Sequence, residues 1–230
     1  ILSTDLGSPG CGISLPGGSD VTILVRNPLT PPVVSNITLC NGTSTTIVPI
    51  GAQGGRGTFE YQWQQSANGT TGWANVGIQS LDSAYTTGVL TTGSTYYRVI
   101  ARDQDVGSLQ SCGSTFSSPM KVTIGATATA GAIAGDETTC TGTATADITS
   151  TTDGTGSGTI SYKWEESTDA GSTWSIVQGV TGSTYNAGSL SQTTWFRRTT
   201  VATLNGAPCE SAISNTVVKT VVQLPVFTAA

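Results

Sequence analysis

Tyr61, Trp63 and Trp73 return 101 positions later as Tyr162, Trp164 and Trp174, and an internal repeat of that period restricts the chain to folds that work in series. The match runs from Cys40-Asn-Gly-Thr and Cys140-Thr-Gly-Thr, through Tyr85 and Tyr185, to Tyr96-Tyr97-Arg98 and Trp195-Phe196-Arg197, and Cys112 and Cys209 close the two copies. The spacing predicts one domain over residues 32–124 and a second over 125–222. Residues 1–26 are expected to be the last strands of a truncated preceding repeat. Their Asp5-Leu-Gly-Ser, Cys11-Gly and Val21-Thr-Ile match Asp105-Val-Gly-Ser, Cys112-Gly and Val122-Thr-Ile. Residues 27–31 and 223–230 then read as linkers, the second leading into a further unit, and any export signal is expected to have been removed or to lie upstream.

Each copy has strand patterning. Phe59, Tyr61 and Trp63 alternate with Thr58, Glu60, Gln62 and Gln64, and Ile160, Tyr162 and Trp164 alternate with Thr159, Ser161, Lys163 and Glu165. Period two marks a strand with one face buried. Ser66-Ala-Asn-Gly and Ser167-Thr-Asp-Ala-Gly are turn sequences leading into strands that begin near Trp73 and Trp174, so each copy holds a hairpin. Tyr96, six residues after Leu90, has the spacing of a tyrosine corner, which Trp195 breaks in the second copy. No stretch sustains a helical apolar period. The fold class is all-β, as tandem immunoglobulin-like β-sandwich domains. With two cysteines per domain the expected bridges are Cys40–Cys112 and Cys140–Cys209, leaving Cys11 unpaired within this chain. Each would add about 4 kcal/mol in the chain-entropy model.

Composition removes several functions. Nine basic against 14 acidic residues give a net charge of −5, the wrong sign for a nucleic-acid partner. Histidine is absent, and with it the commonest general base and metal ligand. Gly51-Ala-Gln-Gly-Gly-Arg-Gly57 lacks the Lys-Ser/Thr of a phosphate loop, and Gly154-Thr-Gly-Ser-Gly158 stands at the same place, so both read as inter-strand loops. Asp103-Gln-Asp105 and Asp153 fall short of a calcium ligand set. Glu165-Glu166 is replaced by Gln64-Gln65 in the first copy, and neighbouring strand residues face opposite ways. No catalytic residue, metal ligand or cofactor is assigned. Trp63 and Trp164 are expected in the cores. Trp73 and Trp174, which follow turns, are read as packing residues, with surface aromatic contacts as the alternative. Arg98 and Arg197 are expected to lie along aromatic rings or to pair with acidic neighbours.

The pattern Cys-x-Gly-Thr, Tyr-x-Trp-x-x-Ser, a Gly turn, Trp-x-x-Val, Tyr-Tyr-Arg and a final Cys resembles the immunoglobulin-like repeats of giant surface proteins of Bacteroidota, including SprB-type gliding-motility adhesins. The resemblance implies type IX secretion, display on the outer membrane and contact with the secretion and motility machinery. Its expected partners are extracellular surfaces or polysaccharide and neighbouring repeats of the same chain. It also marks Ser83, in Asp82-Ser83-Ala84, as a candidate O-glycosylation acceptor; the second copy has Gly182-Ser183-Thr184 there. The expected role is a structural and adhesive segment of a long cell-surface adhesin. The alternative is a carbohydrate-binding or spacer module of a secreted polysaccharide-degrading enzyme.

Overall fold

The computed structural model describes residues 27–55, 58–91, 93–103 and 113–223. Sixteen strands are present among them and no helix. The first copy supplies β1 (Ile37–Cys40), β2 (Thr46–Ile47), β3 (Phe59–Ser66), β4 (Ala74–Ser80), β5 (Tyr85–Thr86), β6 (Ser94–Asp103), β7 (Ser114–Phe116) and β8 (Met120–Gly125). The second supplies β9 (Ala132–Ala134), β10 (Glu137–Cys140), β11 (Thr149–Thr152), β12 (Thr159–Ser167), β13 (Ser175–Ile176), β14 (Thr194–Leu204), β15 (Ala207–Ile213) and β16 (Val217–Val222). Two compact units result. One holds the described residues up to Ile37 with Ser44–Gly88 and Ser94–Val122; the other holds Thr38–Thr43, Val89–Gly93 and the chain from Thr123 onward.

The larger sheet has the same order in both copies, β1-β8-β6-β3-β4 and β10-β16-β14-β12-β13. Its centre is the antiparallel pair of the alternating Tyr-x-Trp strand with the long late strand, Phe59↔Asp103 through Ser66↔Tyr96 in one copy and Thr159↔Thr203 through Ser167↔Trp195 in the other. The late strand is long enough to hold two partners in succession. The start of β14 pairs with β16 and its remainder with β15. On the far side of β16, β10 runs parallel to it, Glu137 opposite Lys219 and Cys140 opposite Val222. The facing layer is thin: β2 pairs with β5, β9 pairs with β11, and an isolated bridge joins Ile148 to Tyr185.

Aromatic residues fill the space between the layers. Ile133, Ile148, Tyr162, Trp164, Phe196 and Val217 form the buried core of the second unit, with Tyr185 packed against it. Trp164 and Phe196 both contact Tyr185, at ring separations of 5.6 Å. Trp63, Tyr85 and Tyr97 repeat this stack at 5.7 and 5.8 Å. Each core indole is polar only at its N–H, and each Nε1 donates to a backbone carbonyl at 2.9 Å, Ser83 O for Trp63 and Gly182 O for Trp164. Trp63 and Trp164 therefore occupy the cores expected of them. Two layers closed over one aromatic core make each copy an immunoglobulin-like sandwich, and in the second copy β10 lies parallel to the last strand, β16.

The predicted disulfides are not formed. Cys40 is bonded to Cys209, with 5.5 Å between Cα atoms, and both lie in the second compact unit. The expected Cys140–Cys209 bridge fails on geometry. Cys209 sits opposite Ala202 on β14, whereas Cys140 sits opposite Val222, three steps beyond the Lys219 that faces Thr194. Eight strand steps along β14 and three along β16 separate them by roughly 35 Å, against a Cα–Cα limit of about 7 Å for a disulfide. Cys140 carries an exposed free thiol. Cys40–Cys112 fails because Cys40 already has Cys209 as its partner; Cys112, like Cys11 and residues 1–26, lies outside the described residues.

Candidate functional site

Trp73 precedes β4 and Trp174 precedes β13, and both are half-buried. The Arg98 guanidinium lies 4.3 Å from the Trp73 ring centre and 4.8 Å from that of Phe116. Its Nε donates to Gln64 Oε1 at 2.8 Å, and partial burial lowers its pKa. In the second copy Arg197 lies 3.9 Å from the Trp174 ring and its Nε donates to Glu165 Oε2 at 2.8 Å. Cross-strand register causes both arrangements, because Gln64 faces Arg98 and Glu165 faces Arg197 in the central pair. The candidate surface tryptophans thus have one face covered by a cation, and each arginine takes the role expected of it. What is left for a flat apolar ligand is the ring edge and the remaining exposed surface.

Ser83 is half-buried in the segment before β5, where its carbonyl accepts the Trp63 N–H and Asp82 Oδ1 accepts the Ala84 N–H at 2.9 Å. In the second inter-strand loop Gly154 and Gly156 serve packing. A Cβ on Gly154 would collide with Thr200 Oγ1 and come within 2.7 Å of Thr129 O, and one on Gly156 would collide with Ala202 Cβ. Of the acidic candidates, Asp153 accepts a hydrogen bond from Ser150 Oγ at 2.6 Å and Glu165 is engaged by Arg197, while Asp105 lies outside the described residues. Asp103 lies beside Gly55.

Two buried cations escaped the sequence reading. Arg198 is fully buried opposite Trp164, where the first copy places Val99 opposite Trp63. Its guanidinium lies 4.2 Å from the Tyr162 ring and donates to Ser183 O at 2.5 Å, Ser150 Oγ at 2.8 Å and Thr152 O at 3.2 Å. Desolvation lowers its pKa. Lys219 is likewise fully buried, and its ammonium donates to Glu137 Oε2 at 2.5 Å and Ala146 O at 2.9 Å. The Lys219 hydrogen bond and charge lower the Glu137 pKa. The signal was present in the repeat alignment, which sets Arg198 against Val99 and Lys219 against Val122. At both positions the sister residue is apolar and fully buried, so the charge that replaces it is buried as well.

Fold and packing define tandem immunoglobulin-like domains. The chain belongs to the family described as Domain of unknown function (DUF8696), whose model matches residues 32–126 and 129–223. No curated protein matches the chain. Among solved structures it is similar to the three N-terminal domains of the highly immunogenic outer capsid protein of bacteriophage RB49, at 12% identity and a TM-score of 0.47, over 87% of this chain and 70% of that one. It is also similar to titin domains A168–A170, at 13% identity and a TM-score of 0.46, over 80% of this chain and 62% of that one. A third likeness is to Sidekick-1 immunoglobulin domains 1–5, at 12% identity and a TM-score of 0.34, over 85% of this chain and 38% of that one.

Proposed function

We propose that this chain is a non-enzymatic structural and adhesive segment of a long, repetitive bacterial cell-surface adhesin, used in surface attachment and gliding. The observation that carries the reading is the shared use of aromatics: in both copies the same residues build a core, and the half-exposed tryptophan is held by an arginine of its own domain. A disulfide between Cys40 and Cys209 fits an oxidising compartment outside the cytoplasm. Repetition then supplies strength, since weak contacts made by many linked copies multiply into avidity. In this reading the chain is displayed on the outer membrane by type IX secretion, meets extracellular surfaces or polysaccharide, and carries a glycan at Ser83 in the first copy.

The test is in-frame removal of residues 32–223 from the parent gene, followed by counts of attached and gliding cells. Reduced attachment with normal display of the remaining protein is expected; unchanged attachment and gliding would overturn the reading. A glycan array with calorimetry on the chain and on Trp73→Ala and Trp174→Ala settles the rival. Micromolar binding of one defined sugar, lost in folded variants, would make this a carbohydrate-binding module.

A further inference from the structure

Cys40 and Cys140 occupy the same place in the two copies. Each is the last residue of its strand, β1 or β10, and each enters the same turn. Thr43 N–H donates to Cys40 O at 3.3 Å and Thr143 N–H to Cys140 O at 3.0 Å; Gly42 N–H donates to Leu90 O at 2.9 Å and Gly142 N–H to Leu190 O at 3.1 Å. Gly42 and Gly142 hold φ of 78° and 81°. The turns are alike, but the thiols differ. Cys40 is bonded to Cys209, which stands after the Asn205-Gly206 turn in the following copy, and Cys140 is free and exposed. Close to the bond, Asn205 Nδ2 donates to Thr38 Oγ1 at 3.1 Å. Thr138 stands at the corresponding position, two residues before Cys140 as Thr38 is before Cys40.

We infer that Cys140 is a coupling site: it forms a disulfide with the Cys209-type cysteine of a repeat that follows, as Cys40 does with Cys209, so that successive copies are linked in an overlapping chain of disulfides. The inference rests on the reading of this chain as a segment of a longer array. The chemistry is thiol–disulfide exchange with an external oxidant of the disulfide class, such as an oxidoreductase or glutathione disulfide. The Cys140 thiolate attacks the oxidant's S–S bond, forms a mixed disulfide and releases one thiolate. The second cysteine's thiolate then attacks the Cys140 sulfur, and the oxidant's other sulfur leaves. Two protons pass to water and two electrons to the oxidant.

Two measurements test it. On the full 230-residue chain equilibrated with glutathione disulfide and reduced glutathione, iodoacetamide is added before reduction and the peptides are mapped. Cys40 joined to Cys209, with Cys140 alkylated, is the expected result; Cys140 joined to Cys209 would overturn the scheme. On the parent protein taken from cells in the presence of iodoacetamide, the Cys140 peptide is expected to migrate joined to a cysteine peptide of the next repeat. In a Cys140→Ser parent that joined peptide is lost and its partner becomes alkylated. A following repeat that carries the cysteine while Cys140 remains a free thiol would sink the inference alone. A parent gene with no further repeat would sink the array reading as well.

Discussion

Replacing Arg198 by Val asks whether a buried cation steadies its domain or burdens it. The substitution installs the residue that the first copy places opposite its core tryptophan, Val99 opposite Trp63. Two effects oppose each other. Removing a fully buried guanidinium recovers its desolvation penalty, and exchange of buried ion pairs for apolar groups is often neutral or stabilising. Here, however, the partners are two backbone carbonyls, Ser183 O and Thr152 O, and the Ser150 hydroxyl, none of which leaves with the arginine. An abandoned buried acceptor costs about 1–3 kcal/mol, and water can reach part of this set because Thr152 is exposed and Ser150 and Ser183 are half-buried. Lost packing against Tyr162 adds to the loss. The expected net effect is a destabilisation of about 2–4 kcal/mol, which lowers the urea midpoint of this domain by about 1–2 M at a typical slope. The assay is urea unfolding of the oxidised full chain followed by tryptophan fluorescence. Arg198→Lys should lose nearly as much, because an ammonium cannot reproduce the planar fork. An unchanged or raised midpoint in Arg198→Val would refute the reasoning and make desolvation the larger effect.

Gly154→Ala should destabilise the second unit by about 1–3 kcal/mol, since its Cβ has no room beside the buried Thr200, whereas Gly51→Ala, with open space around it, should stay within about 0.5 kcal/mol in the same urea assay. Asp169, held to a pKa of about 2 by hydrogen bonds from Thr173 and Ser167, stabilises fully above the ordinary Asp range and loses that contribution as pH falls through about 2. Asp169→Asn, which copies Asn68 of the first copy, should flatten the fall in thermal midpoint between about pH 4 and pH 2; an unaltered slope would refute the assignment. Glu137→Ile leaves the buried Lys219 ammonium with Ala146 O as its remaining partner and should destabilise the second unit, while adding Lys219→Val should recover the loss, as read by a double-mutant cycle in urea.

The frame of this fold was legible because it is written as period and repetition. Tyr61 and Trp63 alternate with polar residues, recur as Tyr162 and Trp164, and are buried in both places. Connectivity was not legible. Treating each copy as closed upon itself paired Cys140 with Cys209, which is bonded to Cys40 instead; only the register of β10, β16, β14 and β15 shows that Cys140 and Cys209 stand at opposite ends of a sheet. Alternation also misleads at single residues. Gln62 falls in the polar phase yet is buried, because its amide donates to Trp63 O and Val76 O at the edge where β4 joins. The roles of Trp73 and Trp174 depend on which arginine reaches them across the sheet, and that is a property of strand pairing.

The Cys40–Cys209 bond also sets how far the chain can be drawn out under load. From residue 32 to residue 223 the backbone makes 191 steps, and the bond bypasses 169 of them, leaving 22 that tension can straighten. At about 3.4 Å per residue, even a completely unfolded oxidised chain runs to only roughly 80 Å along this path, the disulfide included, where the reduced chain would run to roughly 650 Å. A sandwich that gives way inside the loop therefore remains tethered, and its strands stay near one another to refold when the pull relaxes. Thiol redox state, more than the strength of any one sheet, governs the reach of the segment under force.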